Sequence, residues 1–227
     1  TNNLGDICKI NPSDIPDHDL FTYSFPCQDL SVAGKQAGLG KGTRSGLLYE
    51  CEKIIEAKKP KYLLLENVKN LVGKKFKADF DKWLEYLEGL GYTNYWKVLN
   101  AKDYGVPQNR ERVFVVSILG DHKPYKFADK IPLDKCIADI LEDEVDEKYY
   151  LSKEIQNRLK TTNQFKALIP QATKKGYIEM DLPGVCDLSY PNSKTRRGRV
   201  QEGGKVSPTL TAASQDICYI DLPCICA

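Results

Sequence analysis

The run Tyr62-Leu-Leu-Leu65 constrains the fold more than any other stretch of the chain. It is too short for a buried helix and lacks the alternation of a strand with one wet face, so it fits a strand covered on both sides of a parallel sheet. Helical patterns flank it. Leu47, Leu48, Cys51, Ile54 and Ile55 recur at helical spacing until Lys58-Lys59-Pro60, where proline stops the helix. Phe76, Phe80, Trp83, Leu84, Leu87 and Leu90 form a second stripe, closed by Gly91. A further apolar run, Leu20 to Phe25, reads as a preceding strand, and Tyr92–Leu99 and Arg112–Leu119 read as later ones. Strands alternating with helices predict an α/β sheet with right-handed crossovers. At the amino end, Leu4 to Ile10 reads as a short strand, followed by turn chemistry at Pro12-Ser-Asp-Ile-Pro-Asp17.

Beyond Gly120 the texture changes to an acidic run, Asp139 to Glu147, a polar helix-like stretch, Lys153–Lys160, and then Gly- and Pro-punctuated sequence. This predicts two unequal parts, an α/β domain over 1–125 and a smaller, irregular, mostly β domain over 126–227. With 33 basic and 31 acidic residues the net charge is +2, which excludes a globally basic nucleic-acid coat but not a local basic face. The densest basic patch is Ser193-Lys-Thr-Arg-Arg-Gly-Arg199, although most such runs are simply solvated. The eight cysteines show no repeating framework, and no stretch approaches the roughly 20 apolar residues that cross a bilayer. A cytoplasmic protein with no membrane partner is the expectation.

Chemistry points to Phe25-Pro26-Cys27-Gln28. A strand that ends in Pro-Cys places a thiol at the carboxyl end of the sheet, where open α/β sheets bind ligands. A lone cysteine is more often a small buried hydrophobe, so Cys27 needs partners to count as a nucleophile. Glu66 ends the Tyr62–Leu65 strand, and Arg110 and Arg112, two residues apart, would enter one face of a later strand. Thiol, carboxyl and guanidinium have complementary roles: the thiol adds to an electron-poor ring, the carboxyl hydrogen-bonds that ring, and the guanidinium holds an oxygen or phosphate. Burial behind Leu63–Leu65 would favour a protonated Glu66. Between them, Gly34, Gly38, Gly40, Gly42 and Gly46 with Lys35, Lys41 and Arg44 form a basic loop without a nucleotide P-loop pattern.

The series Gly5-Asp6-Ile7, Phe25-Pro26-Cys27-Gln28-Asp29-Leu30-Ser31, Glu66-Asn67-Val68-Lys69 and Tyr104-Gly-Val-Pro-Gln108-Asn-Arg-Glu-Arg112 resembles the C5-cytosine DNA methyltransferases of bacterial and phage restriction-modification systems. The resemblance implies a partial Rossmann-like, S-adenosylmethionine-dependent methyltransferase sheet with a target-recognition domain. It implies methyl transfer to C5 of a cytosine flipped out of duplex DNA, through a covalent bond from Cys27 to C6, with Glu66, Arg110 and Arg112 as the other catalytic residues. Asp6, Ile7, Pro26 and Leu47 match cofactor-contacting positions. Gln28, Ser31 and Arg44 fall in a loop that closes over DNA, Arg196, Arg197 and Arg199 in a basic DNA-facing run. Ser207-Pro-Thr-Leu-Thr-Ala212 resembles the stretch that sets a threonine, here Thr209, near a phosphate.

The family's Phe-x-Gly-x-Gly strand-loop, the acidic residue that holds the ribose and the last motifs have no match in these 227 residues. The expectation is a fragment, or a chain that requires a complementing one, with an incomplete cofactor site of its own. Two other readings stand beside the enzyme: a catalytically silent DNA-binding fragment, and a tRNA cytosine-C5 methyltransferase. Against the latter, this chain has Pro-Cys-Gln-Asp-Leu-Ser where that branch has Pro-Cys-Gln-Pro-Phe-Thr. No metal is expected; Cys218, Cys224 and Cys226 form only a weak zinc pattern.

Overall fold

The computed structural model describes residues 3–25, 47–163, 165–190, 192–210 and 217–221. Its contacts gather into two compact units, Thr1–Leu99 with Glu111–Asp129, and Asn100–Arg110 with Lys130–Ala227.

The first unit is built on strands β1 (Leu20–Tyr23), β2 (Tyr62–Val68), β3 (Tyr92–Asn100) and β4 (Glu111–Leu119), in the order β1-β2-β4-β3. Strand β1 runs parallel to β2, with Tyr23 opposite Leu65, and the crossover between them contains helix α1 (Leu48–Lys58). Strand β4 is antiparallel to β2 and lies between it and β3, so the sheet is mixed. The parallel pairing expected from strand-helix alternation therefore holds for β1 and β2 and not for β4. The reason is visible in the connection: only a 3-10 turn, Ala101–Asp103, lies between β3 and β4, with no α-helical crossover of the kind a parallel pair needs.

Alternation along β2 divides its side chains. Leu63, Leu65 and Asn67 are buried, with Val113, Val115 and Ser117 of β4 opposite them, whereas Leu64, Glu66 and Val68 are only half-buried. The buried set joins Leu48, Cys51 and Ile55 of α1 and Phe80, Trp83, Leu84 and Leu87 of α2 (Lys77–Gly89) in one core. Helix α1 ends as the sequence predicts: Lys59 takes a left-handed conformation, φ 44°, immediately before Pro60. In the core the Trp83 indole N–H donates to the Tyr23 hydroxyl at 3.1 Å, fastening α2 to β1.

Leu4–Ile10 is not a strand. Residues Ile7–Lys9 and Pro12–Asp14 form short 3-10 turns, because the Asp6 carboxylate accepts from the Cys8 N–H and the Asn11 side chain from the Ser13 N–H. Such local side-chain bonds offer the backbone an alternative to a sheet ladder.

The second unit is mostly β. Strands β5 (Lys160–Asn163), β6 (Lys166–Pro170) and β7 (Tyr177–Asp181) form one antiparallel sheet, and β8 (Gly184–Asp187) pairs with β9 (Ile217–Ile220) in another. The polar helix is a single short one, α3 (Lys153–Arg158). Ala167, Ile169, Met180, Leu182, Cys186, Val200, Cys218 and Ile220 make its core. Among the described residues, no helix is long and apolar enough to cross a membrane.

Candidate active site and nucleic-acid interface

In the first unit, the carboxyl ends of β1 and β2 lie side by side. Continuing the register two residues beyond Tyr23 and Leu65 brings Phe25 level with Asn67. The Asn67 side chain, 2% exposed, donates from Nδ2 to the Phe25 carbonyl at 3.2 Å and accepts the Val68 N–H on Oδ1 at 2.8 Å. Asn67 thus pins the backbone that leads into Pro26 and Cys27. Sequence reasoning missed it; its only signal was its place between Glu66 and Val68. Pro26, Cys27, Gln28, Ser31 and Arg44 lie outside the described residues.

Glu66 sits on the half-buried face of β2, and its Oε1 meets the Arg112 Nε at 2.9 Å. The pairing follows from register. Val68 is opposite Arg112 on β4, so Glu66 and Arg112 are diagonal neighbours on the same face, within reach of a long side chain. Arg112 also donates from Nη1 to the Glu111 carbonyl at 2.8 Å, which holds the guanidinium fork in place. The full burial expected for Glu66 belongs instead to Leu63, Leu65 and Asn67: the Glu66 side chain is 40% exposed, and a guanidinium faces it. A carboxyl with this much access can reach a ligand.

The two arginines separate. Strand β4 begins at Glu111, so Arg110 precedes it, belongs to the second unit, and donates from Nη1 to the Leu210 carbonyl at 3.2 Å. The motif around it is interlaced with residues about 100 positions away. The Ser207 N–H donates to the Pro107 carbonyl at 2.9 Å, the Asn109 N–H donates to the Ser207 carbonyl at 2.8 Å, and the Thr209 hydroxyl donates to the Asn109 carbonyl at 2.5 Å. Asn100 and Gln201 hold the Asn109 side chain. Thr209, expected beside a phosphate, therefore has its hydroxyl proton engaged within the protein.

Of the cofactor positions, Asp6 caps its own turn through Oδ1. Ile7 and Leu47 are partly buried against the core. Two apolar side chains and an exposed carboxylate suit a purine ring and its exocyclic amine, so these residues fit an adenosyl group chemically.

The basic run does not behave as one surface. Arg199 is 1% exposed; its Nη1 donates to the Asp187 carbonyl at 2.9 Å and its Nη2 to the Tyr190 carbonyl at 2.6 Å. Contrary to the expectation for the run, it is an internal strut, because the loop folds back over β8 and leaves two carbonyls that need a donor. Arg196 is partly exposed and bonds Asp187, whereas Arg197 is exposed and reaches the Ala172 carbonyl at 3.1 Å. Cys218 faces Cys186 across β8 and β9 with the sulfurs 3.8 Å apart; Cys224 and Cys226 lie outside the described residues.

The family model of the C-5 cytosine-specific DNA methylases matches residues 1–215. The chain is 62% identical over 151 residues to type II methyltransferase M2.ScrFI of Lactococcus lactis subsp. cremoris, covering 66% of this chain and 42% of that protein. It is 40% identical over 218 residues to orphan methyltransferase M.SssI of Spiroplasma monobiae, covering 93% of this chain and 52% of that protein. The chain thus spans about half the length of these curated relatives. Among solved structures, the Entamoeba histolytica methyltransferase EhMeth matches with a TM-score of 0.53 at 19% identity, over 68% of this chain and 49% of that one, a likeness of fold alone.

Proposed function

The chain belongs to the C-5 cytosine-specific DNA methylase family, and from that premise we propose that it carries the nucleophile and recognition part of a DNA cytosine-C5 methyltransferase. The observation that carries this reading is Glu66, on the strand next to the one that leads into Cys27, paired with Arg112 of β4. The substrate is cytosine in duplex DNA, turned out of the stack at a cost of a few kcal/mol because no thiol reaches C6 inside a duplex. The domains divide accordingly, with the 1–125 part for chemistry and the 126–227 part for the target.

In this mechanism the Cys27 thiolate adds to C6 of cytosine, and electron density moves through the ring towards N3 and C5. Glu66 hydrogen-bonds N3 and the exocyclic amine, which stabilises the charge as it develops, while Arg112 holds the carboxyl in place. When bound, S-adenosylmethionine supplies the electrophilic methyl group, and Asp6, Ile7, Pro26 and Leu47 would hold its adenosyl end. Loss of the C5 proton then restores the double bond and expels the Cys27 thiolate. Gln28, Ser31, Arg44 and Arg197 serve the DNA backbone in this reading, and restriction-modification in the cytoplasm is the setting.

The test uses the protein expressed from its full reading frame and duplex DNA with 5-fluorocytosine at the target. Fluorine cannot leave as a proton does, so a covalent adduct at Cys27 is expected after methyl transfer, located by peptide mass spectrometry. Cys27→Ser should abolish it and spare DNA binding, because a serine hydroxyl supplies almost no anion at neutral pH. An adduct on another cysteine, or one that persists in Cys27→Ser, would overturn the assignment.

A further inference from the structure

The loop from β8 to the end of the basic run carries an exposed aromatic ring, a partly exposed arginine and a buried carboxylate in one bonded arrangement. Asp187 is 5% exposed and sits at the end of β8. Its Oδ1 accepts the Ser189 N–H at 2.8 Å, and its Oδ2 accepts both the Nε and the Nη2 of Arg196, at 2.9 and 2.6 Å. Burial works against the carboxylate, yet the bonds from Ser189 and Arg196 outweigh it and keep its pKa below the usual range. The Arg196 guanidinium lies 5.5 Å from the centre of the Tyr190 ring.

Tyr190 itself is held in an uncommon conformation. Its φ is +52°, and its side chain is among the most exposed large apolar ones, at 62%. Left-handed backbone is strained at a residue with a large side chain. The Tyr190 carbonyl is gripped by the buried Arg199 at 2.6 Å and by the Ser193 N–H at 3.0 Å, and the Ser193 hydroxyl accepts the Arg196 N–H at 3.1 Å. The fold thus sustains strain to present an aromatic ring to solvent.

Binding Asp187 through Nε and Nη2 occupies one edge of the Arg196 guanidinium and leaves the Nη1–Nη2 end, whose two parallel N–H groups match two acceptors side by side. About a third of the Arg196 side chain stays exposed. Two acceptors at that spacing are what guanine offers in the major groove, at O6 and N7. Arg197, with no carboxylate partner among the described residues, is suited to a phosphate.

We propose that Arg196, oriented by Asp187 and packed on Tyr190, reads a guanine edge of the DNA target, whereas its neighbour Arg197 contacts the backbone. This rests on the DNA-methylating reading above and names the residues that would set its specificity. Asp187 is a positioning residue here; Arg196 and Tyr190 touch the DNA.

The test first maps the cytosines methylated by the wild-type protein, expressed from its full reading frame, by bisulfite sequencing. Each guanine of the target is then replaced in turn by 7-deazaguanine, which lacks the N7 acceptor. One position should lose about 10- to 100-fold in kcat/KM for the wild-type protein, the usual discrimination of a bidentate pair. Arg196→Ala and, separately, Tyr190→Ala should erase that difference. Tyr190 is exposed, so its variant tests the idea even if Arg196→Ala, which strands Asp187, fails to fold. Arg197→Ala should instead weaken binding equally on every duplex and lower the slope of log K against log salt by about 1. The proposal falls if no guanine is sensitive in the wild type, if either folded variant keeps the sensitivity, or if Arg196→Ala behaves like Arg197→Ala. A wild-type protein that methylates no cytosine overturns the functional reading itself, and this inference with it.

Discussion

Asn67→Ala removes the side chain that ties β2 to the approach to Cys27. Two bonds disappear, one to the Phe25 carbonyl and one from the Val68 N–H. Phe25 is 4% exposed and Asn67 2%, so water does not readily replace the lost partner. A buried polar group left unsatisfied costs about 1–3 kcal/mol. The 3.2 Å bond is long and the Val68 N–H is only part-buried, so the lower half of that range applies to each. The expected loss of stability is about 2–4 kcal/mol, with a small added contribution from the cavity. Urea unfolding followed by tryptophan fluorescence reads it directly, since Trp83 lies in the same core. The functional effect is separable. Phe25 is two residues ahead of Cys27, and a shift of about 1 Å in a reacting atom can cost about 100-fold in rate. Capture of 5-fluorocytosine DNA, measured where the variant remains folded, should slow by about that factor. Asn67→Asp keeps the acceptor for Val68 but sets a carboxylate against the Phe25 carbonyl, and should be no better than alanine. A stability change below about 0.5 kcal/mol, the range of a neutral surface substitution, or an unchanged capture rate in a folded variant, would refute the argument.

Two further outcomes follow from burial. The Cys51 thiol is pushed up from 9.0 to about 11 by burial, and the Tyr92 hydroxyl from 10.0 to about 12 by the same cause. In the unfolded chain both ionise at lower pH than in the folded one, so their contribution is complete below about pH 9 and is lost as pH rises towards 12. Each steepens the decline towards about 1.4 kcal/mol per pH unit; urea midpoints between pH 8 and 11 should fall, and Cys51→Ala should flatten the first part of the curve. Arg199→Met takes the guanidinium donor from the Asp187 carbonyl and one of two donors from the Tyr190 carbonyl, which keeps the Ser193 N–H; removal of a buried Nε that has no partner among the described residues partly offsets this. A thermal melt should show a net loss of about 2–4 kcal/mol, and a melt within about 1 °C of the parent would argue against a strut.

The elements of the first unit were determined by sequence alone. Helices α1 and α2 and strand β2 follow from spacing of apolar residues, a local property that survives in any tertiary context, and Pro60 and Gly91 mark where two helices end. The motifs around Cys27, Glu66 and Arg112 were legible for the same reason, since each is a short contiguous string. The amino-terminal turns were legible in principle: Asp6 and Asn11 are capping residues, and weighing them against the apolar alternation of Leu4–Ile10 would have decided for turns. Tertiary structure alone decided how distant strings meet. The placement of β4 beside β2 makes Glu66 and Arg112 diagonal neighbours, and a change of register by one residue would turn one of them to the other face. It also separated Arg110 from Arg112, which the two-residue spacing had put together. The run 193–199 shows the limit most plainly: three arginines of one chemical type and nearly one position became a buried strut, a guanidinium anchored on a carboxylate and an exposed cation. What separates them is which carbonyls and carboxylates the fold brings within about 3 Å of each guanidinium, and no local pattern encodes that distance.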